Sequence, residues 1–142
     1  MILYEKLDPR AKAPTKDRPT DAGYDLYCLE NIIVPYGSVV KVRTGLAILV
    51  PEGYCAVIED RSGRGGQGLH KLAGVIDQYT GEWIIIMTCL HNDPTDPSYS
   101  LRFEAGSKIA QFLVHKVHDM PLKEVDKLPS TDRGDKGFGS SG

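Results

Sequence analysis

Nowhere in this chain does a window of eleven or more residues keep an apolar period of 3.6, which excludes a fold built on long amphipathic helices. What recurs instead is short runs of β-branched and aromatic residues cut by glycine and proline. The chain gives 15 residues to glycine and nine to proline, a density of turn chemistry that suits many short strands. Runs at 2–7, 24–29, 32–34, 39–42, 46–50, 54–58, 99–103 and 109–117 read as strands. The strongest, 83–90 (WIIIMTCL), is apolar on both faces and therefore central in its sheet. Residues 8–20 carry Pro9, Pro14 and Pro19 and must be extended loop, and 62–68 (SGRGGQG) reads as nearly all loop. Roughly ten short strands of this kind describe an all-β, distorted jelly-roll-like barrel or sandwich.

At 142 residues, 41% hydrophobic and 25% charged, the chain is sized for one soluble domain. A net charge of −2 argues against nucleic acid or an anionic membrane as partner. No apolar run approaches the roughly 18 residues of a membrane span. Glu5, Lys6 and Asp8 spoil a leader-peptide reading of the N-terminus. Cys28, Cys55 and Cys89 are odd in number and unpaired in spacing, so we expect reduced, half-buried thiols and a cytoplasmic setting. After Leu128 the sequence becomes PSTDRGDKGFGSSG, which can supply little core. We therefore expect a domain over 1–128 and a flexible Gly/Ser-rich arm over 129–142.

Several local patterns could carry chemistry. GRGGQG at 63–68 fits a dinucleotide-type glycine pattern, but no helix can follow before Gly74. The tail resembles a phosphate loop that lacks its lysine. Its successive glycine and serine amides could still wrap phosphate oxygens, with Arg133 pairing bidentately, although a solvated tail would have the same composition. Arg61-Ser62-Gly63 offers a guanidinium, a hydroxyl and a glycine amide just after a strand, a set that holds phosphate and that also suits an ordinary polar turn. Asp77 and Tyr79 stand at what reads as a hairpin tip between Gly74-Val75-Ile76 and the strand at 83–90. A carboxylate there could take a proton from water, or cap its own turn. His115 and His118 have no third ligand nearby in sequence, which argues against a zinc site.

Taken in order, these patterns resemble the trimeric dUTP pyrophosphatases. Five stretches carry the resemblance: Ala22-Gly23-Tyr24-Asp25-Leu26; Arg61-Ser62-Gly63; Gly74-Val75-Ile76-Asp77 with Tyr79 and Gly81-Glu82; Gly106-Ser107-Lys108-Ile109-Ala110-Gln111; and Arg133-Gly134 with Gly137-Phe138-Gly139-Ser140-Ser141-Gly142. The resemblance implies a jelly-roll-like homotrimer with active sites shared between subunits, hydrolysing dUTP to dUMP and pyrophosphate with Mg²⁺. It implies Asp77 as the base that activates water and Asp25 as holding the metal through water. It gives Ser62, Gly63 and Gln111 to the phosphates, with Arg61 in support. Tyr79 would pack on the deoxyribose, and backbone groups of Gly74, Val75 and Ile76 would read the uracil edge. Arg133 would reach the terminal phosphate, Phe138 would stack on the base, and Gly139 and Ser140 would wrap the phosphates.

The sequence departs from that pattern in places. Only Gln78 separates Asp77 from Tyr79, where two residues are usual. Asp60 stands where the second motif usually opens with proline. Ser107-Lys108 stands where Asp-Arg is usual, and the Gly-rich 63–68 segment replaces a stretch that is usually helical. A dCTP deaminase, which shares the fold, needs a Glu near the end of the strand after the third motif. The stretch 83–88 here carries no carboxylate. A non-catalytic nucleotide-sensing or protein-binding scaffold would have no use for Asp77 as a base.

Overall fold

The computed structural model describes residues 1–96 and 98–135. Two four-stranded antiparallel sheets face each other. The first has the order β1 (Leu3–Lys6), β4 (Val39–Leu49), β8 (Glu82–Cys89), β6 (Leu69–Lys71). The second has the order β2 (Tyr24–Tyr27), β10 (Lys108–Lys116), β5 (Tyr54–Asp60), β7 (Val75–Ile76). A ribbon of β3 (Ile32–Pro35) and β9 (Ser100–Phe103) flanks them. Spatial neighbours are mostly non-consecutive in sequence, as in a jelly roll, so the all-β expectation holds.

Alternation explains the core. On β8, Trp83, Ile85 and Met87 point inward, and Phe112 answers from β10. The Trp83 and Phe112 rings meet edge to face at 5.2 Å, and Tyr24 stacks on Phe112 at 5.1 Å. The Trp83–Phe112 pair ties the two sheets together and Tyr24 extends the stack within the second, since aromatic pairs add to what burial alone contributes. β8 lies between β4 and β6, so the reading of 83–90 as central is correct. Its other face is only partly covered, and Ile84 is 42% exposed.

Four details differ from the sequence reading. The runs at 39–42 and 46–50 are one strand, β4, with a register shift at Arg43–Ala47. Gly45 bends there at φ +69°, where glycine carries no Cβ penalty. Its amide donates to Glu82 Oε1 at 2.8 Å, so the irregularity is held and the strand continues. The second difference is a single helical turn, α1 (Ser62–Gly65), in the segment expected to be nearly all loop, closed by Gly65 N donating to Arg61 O at 2.8 Å. The third is that 74–83 is not a hairpin. β7 pairs with β5 in the second sheet and β8 with β4 in the first, so residues 77–81 cross between sheets. Finally, Cys28 and Cys89 are fully buried and only Cys55 is half-buried; all three are free thiols.

Just after β10, Val117 N donates to Gly53 O at 2.8 Å. Residues 118–135 form no strand or helix, and all are exposed. No helix among the described residues is long and apolar enough to cross a membrane.

Candidate active site

Asp25 lies at the centre of the charged cluster. It sits on β2 opposite Gln111 of β10, and its amide donates to Thr15 O at 2.7 Å. It is 7% exposed, which is tolerable only because both carboxylate oxygens are engaged. Arg61 Nε lies 2.7 Å from Oδ1, and Lys108 Nζ lies 2.7 Å from Oδ2. Lys108 also contacts Asp17 Oδ1 at 2.5 Å. Charges therefore alternate Arg61, Asp25, Lys108, Asp17. The hydrogen bonds that Lys108 donates, to Asp17 first and then to Asp25, hold its ammonium well above its usual range. Lys108 in turn holds the Asp17 carboxyl below its usual range.

The β5–β10 register brings the next residues in. Gln111 faces Glu59, so the chain leaving β5 at Arg61 passes beside it. The Gln111 side chain donates to Asp60 O at 2.9 Å. Gly23 leaves room for the Gln111 side chain in this position, because a Cβ there would collide with Gln111 Oε1. A pocket of about 390 Å³ results, walled by Asp17, Asp21 and Asp25, the Arg61-Ser62-Gly63 turn and Gln111. Its volume and mixed charge suit a small charged ligand. An apolar groove of about 510 Å³ beneath the N-terminal strand has none of these charged groups.

The third motif is built on the same sheet but does not line this pocket. Gly74 O accepts from Ile58 N at 2.7 Å, and a Cβ on Gly74 would lie 2.9 Å from Ile58 O. Only glycine lets this stretch close on β5. Val75, Asp77 and Tyr79 are exposed, Tyr79 by 53%, while Ile76 packs against the core. The Tyr79 ring lies over Gly81, where a Cβ would strike its hydroxyl. Gln78 Nε2 donates to Val50 O at 3.3 Å and ties the crossing to the β4–β5 turn.

The structure thus gathers Asp25, Arg61, Ser62, Gly63 and Gln111, and leaves Gly74, Val75, Ile76, Asp77 and Tyr79 outside the pocket. Arg133 lies on the exposed 118–135 segment. Phe138, Gly139 and Ser140 lie outside the described residues. Sequence reasoning missed Lys108 and Asp17 as site residues. For Lys108 the signal was present: a cation three residues before Gln111, in place of the usual Arg. Asp17 sits in an aperiodic loop and gave none.

No group of three or more His, Cys, Asp or Glu among the described residues could hold a metal. Both oxygens of Asp25 are paired with cations, so it has none free for direct ligation, and only contact through the hydration shell that Mg²⁺ keeps is compatible with these pairs. Glu82 opens β8 and is taken by Arg43 at 3.1 Å and the Gly45 amide, so it offers no proton shuttle of the deaminase kind.

Fold and pocket together define an all-β protein with a charged pocket walled by β2, β10 and the turn after β5. The dUTPase family model matches residues 9–142, and the chain belongs to the dUTPase family. It is 40% identical to the deoxyuridine 5'-triphosphate nucleotidohydrolase of Corynebacterium diphtheriae, over 100% of this chain and 93% of that one. It is 35% identical to the Variola virus protein of the same name, over 99% and 92%. Among solved structures, the Staphylococcus bacteriophage 80alpha dUTPase with dUpNHpp matches at a TM-score of 0.88 and 27% identity, over 100% and 98%. The phage phi11 dUTPase of S. aureus, studied for a structural Mg(II) ion, matches at 0.81 and 22%, over 92% and 99%, and speaks for the fold alone.

Proposed function

We propose that this chain hydrolyses dUTP to dUMP and pyrophosphate as a homotrimer whose sites are shared between copies. The observation that carries the shared site is a separation. One chain assembles the Asp25, Arg61, Ser62, Gly63 and Gln111 pocket, yet exposes Asp77 and Tyr79 outside it. A second copy presenting its 77–79 crossing to this pocket completes a site that one chain leaves partial. Exposed Ile84 on β8, and the apolar side chains of Met120, Leu122 and Leu128, give such an assembly surface to cover.

In this reading the triphosphate lies in the charged pocket. Ser62, Gly63 and Gln111 hold its phosphate oxygens, and Arg61, fixed by Asp25, adds positive charge. Backbone groups of Gly74, Val75 and Ile76 read the uracil edge. Tyr79, braced over Gly81, packs on the deoxyribose and leaves no room for a 2′-hydroxyl. Asp77 accepts the proton of a water whose oxygen bonds to phosphorus as the bond between the α and β phosphates breaks, and the electron pair leaves with pyrophosphate. Phosphoryl chemistry asks mainly for positioning and charge stabilisation, with one base for the water. Asp25 would hold Mg²⁺ through water, and the ion would offset triphosphate charge. Residues 129–142 act as an arm that closes the site. Arg133 reaches the terminal phosphate, Phe138 stacks on the base, and Gly139 and Ser140 wrap the phosphates.

The test is pyrophosphate release by the purified chain with Mg²⁺ and, in turn, dUTP, UTP, dTTP and dCTP. Turnover of dUTP well above the other three is expected. No turnover of dUTP, or equal turnover of UTP, overturns the reading.

A further inference from the structure

Asp60 belongs to no part of the pocket wall, yet three hydrogen bonds converge on it. It is the last residue of β5 and immediately precedes Arg61-Ser62-Gly63. Its main-chain carbonyl accepts from Gln111 Nε2 at 2.9 Å. Its carboxylate crosses to β6 of the other sheet, where Oδ1 accepts from Lys71 N at 2.8 Å and Oδ2 pairs with His70 Nδ1. An ionised carboxylate only accepts, so His70 donates here in either protonation state. The His70 ring is itself carried on β6, paired to Thr88 of β8.

This geometry has a local purpose. Between Arg61 and β6 run α1 and the glycines 63, 65, 66 and 68, a segment with high backbone freedom and so a large entropy to lose. The α1 turn closes on the Arg61 carbonyl through Arg64 N at 2.9 Å and Gly65 N at 2.8 Å, and Asp60 adds an anchor outside that turn. Asp60 fastens the segment at both ends, since its backbone leads into the loop and its side chain grips the strand on which the loop ends. A proline at this position would stiffen the entry by fixing φ, but it would not reach β6. Engagement with His70 and the Lys71 amide also keeps this carboxylate turned away from a pocket meant for a polyanion.

We infer that Asp60, with His70, is a positioning pair that sets the Arg61-Ser62-Gly63 turn and the Gln111 side chain for phosphate binding. The inference rests on the proposed phosphate role of that pocket.

The test is steady-state kinetics on dUTP with four variants of the full chain, each paired with a thermal unfolding curve. Asp60→Ala is expected to raise KM about tenfold and change kcat less than about threefold, because a lost charged hydrogen-bond anchor acts on binding first. Asp60→Asn keeps an acceptor for Lys71 N and an amide that can pair with the other His70 tautomer, so it is expected within about threefold of the parent KM. Thr44→Ala removes the buried bond from Thr44 Oγ1 to Trp83 O (2.7 Å), on β4 of the other sheet. It is expected to lower the unfolding temperature and leave KM alone. Gln111→Ala reports on the pocket itself. If it raises KM while Asp60→Ala does not, the inference is wrong and the pocket reading stands. If Gln111→Ala leaves KM unchanged, the pocket reading fails and takes the inference with it. Asn as poor as Ala at position 60, or Thr44→Ala raising KM equally, also overturns it. Should Asp60→Ala not fold, His70→Ala decides: a KM rise of about threefold supports the pair, and an unchanged KM contradicts it.

Discussion

Arg61 Nε lies 2.7 Å from Asp25 Oδ1, and this one contact joins the turn after β5 to the edge strand β2. With Lys108 on the other oxygen, Asp25 separates two cations that would otherwise face each other. The pocket's shape therefore depends on a carboxylate that is almost out of water.

Replacing Asp25 with Ala should cost stability as well as activity. Breaking a fully buried pair costs about 3–5 kcal/mol. Here the Arg61 and Lys108 side chains are 29% and 24% exposed and can regain water. A loss of about 2 kcal/mol is expected once solvent screening is allowed for. Urea unfolding at pH 7 measures it, and an unchanged midpoint would show that the cluster contributes nothing to the fold.

Gly23→Ala should separate fold from binding. The new methyl strikes only the Gln111 amide, the far end of a flexible side chain, so the body can stay folded. Gln111 must then leave the Asp60 carbonyl. KM for dUTP is expected to rise about three- to tenfold, the worth of one hydrogen bond, with little change in kcat. Kinetics alongside circular dichroism check both halves.

Asp17 and Lys108 set a pH window. Asp17 titrates below its ordinary 3.8 because Lys108 donates to it. Its contribution to stability is full above that unfolded value and is lost as pH falls through the lower folded one. Lys108 titrates above its ordinary 10.5 because of Asp17 and Asp25, so its contribution is full below 10.5 and is lost as pH rises through the higher folded value. Asp17→Asn should therefore differ from the parent by a constant amount across neutral pH, and the gap should close in acid below 3.8. Urea midpoints measured at stepped pH test this; a gap that widens in acid would reverse the sign.

Removing residues 129–142 should spare the fold. The described part, 129–135, is wholly exposed and adds nothing to the core. The unfolding temperature is expected within about 2 °C of the parent. Turnover is expected to fall by on the order of a hundredfold as the arm's groups are lost. A truncated chain that no longer folds would make the arm structural.

Most strands were legible as short runs of β-branched and aromatic residues between glycines and prolines; the apolar run Trp83–Met87 marked β8, although its alternating burial could not be read from it. What stayed hidden depends on pairing between distant segments. β4 runs unbroken through Gly45 because the Glu82 carboxylate, far along the chain, holds its amide. The 74–83 stretch looked like a hairpin because local pattern cannot say that β7 and β8 join different sheets. Asp25, Arg61 and Gln111 were found through ordered motifs. Lys108 stood within the fourth motif and was passed over, and Asp17 was not found because an ion pair across the fold leaves no spacing in the sequence.

The shared site can be tested by complementation. Asp77→Asn alone should lower kcat by on the order of 10²–10⁴ while leaving affinity for a non-hydrolysable dUTP analogue nearly intact. A second chain, Ser62→Ala with Gln111→Ala, should lose the phosphate pocket and keep its own Asp77. Unfolded together and refolded as a mixture, the two should form some sites with an intact pocket from one chain and an intact Asp77 from the other. Random assembly gives about a quarter of the parent activity. Recovery well above the sum of the two separately refolded variants is the result expected of sites shared between copies. A mixture no more active than that sum would contradict them.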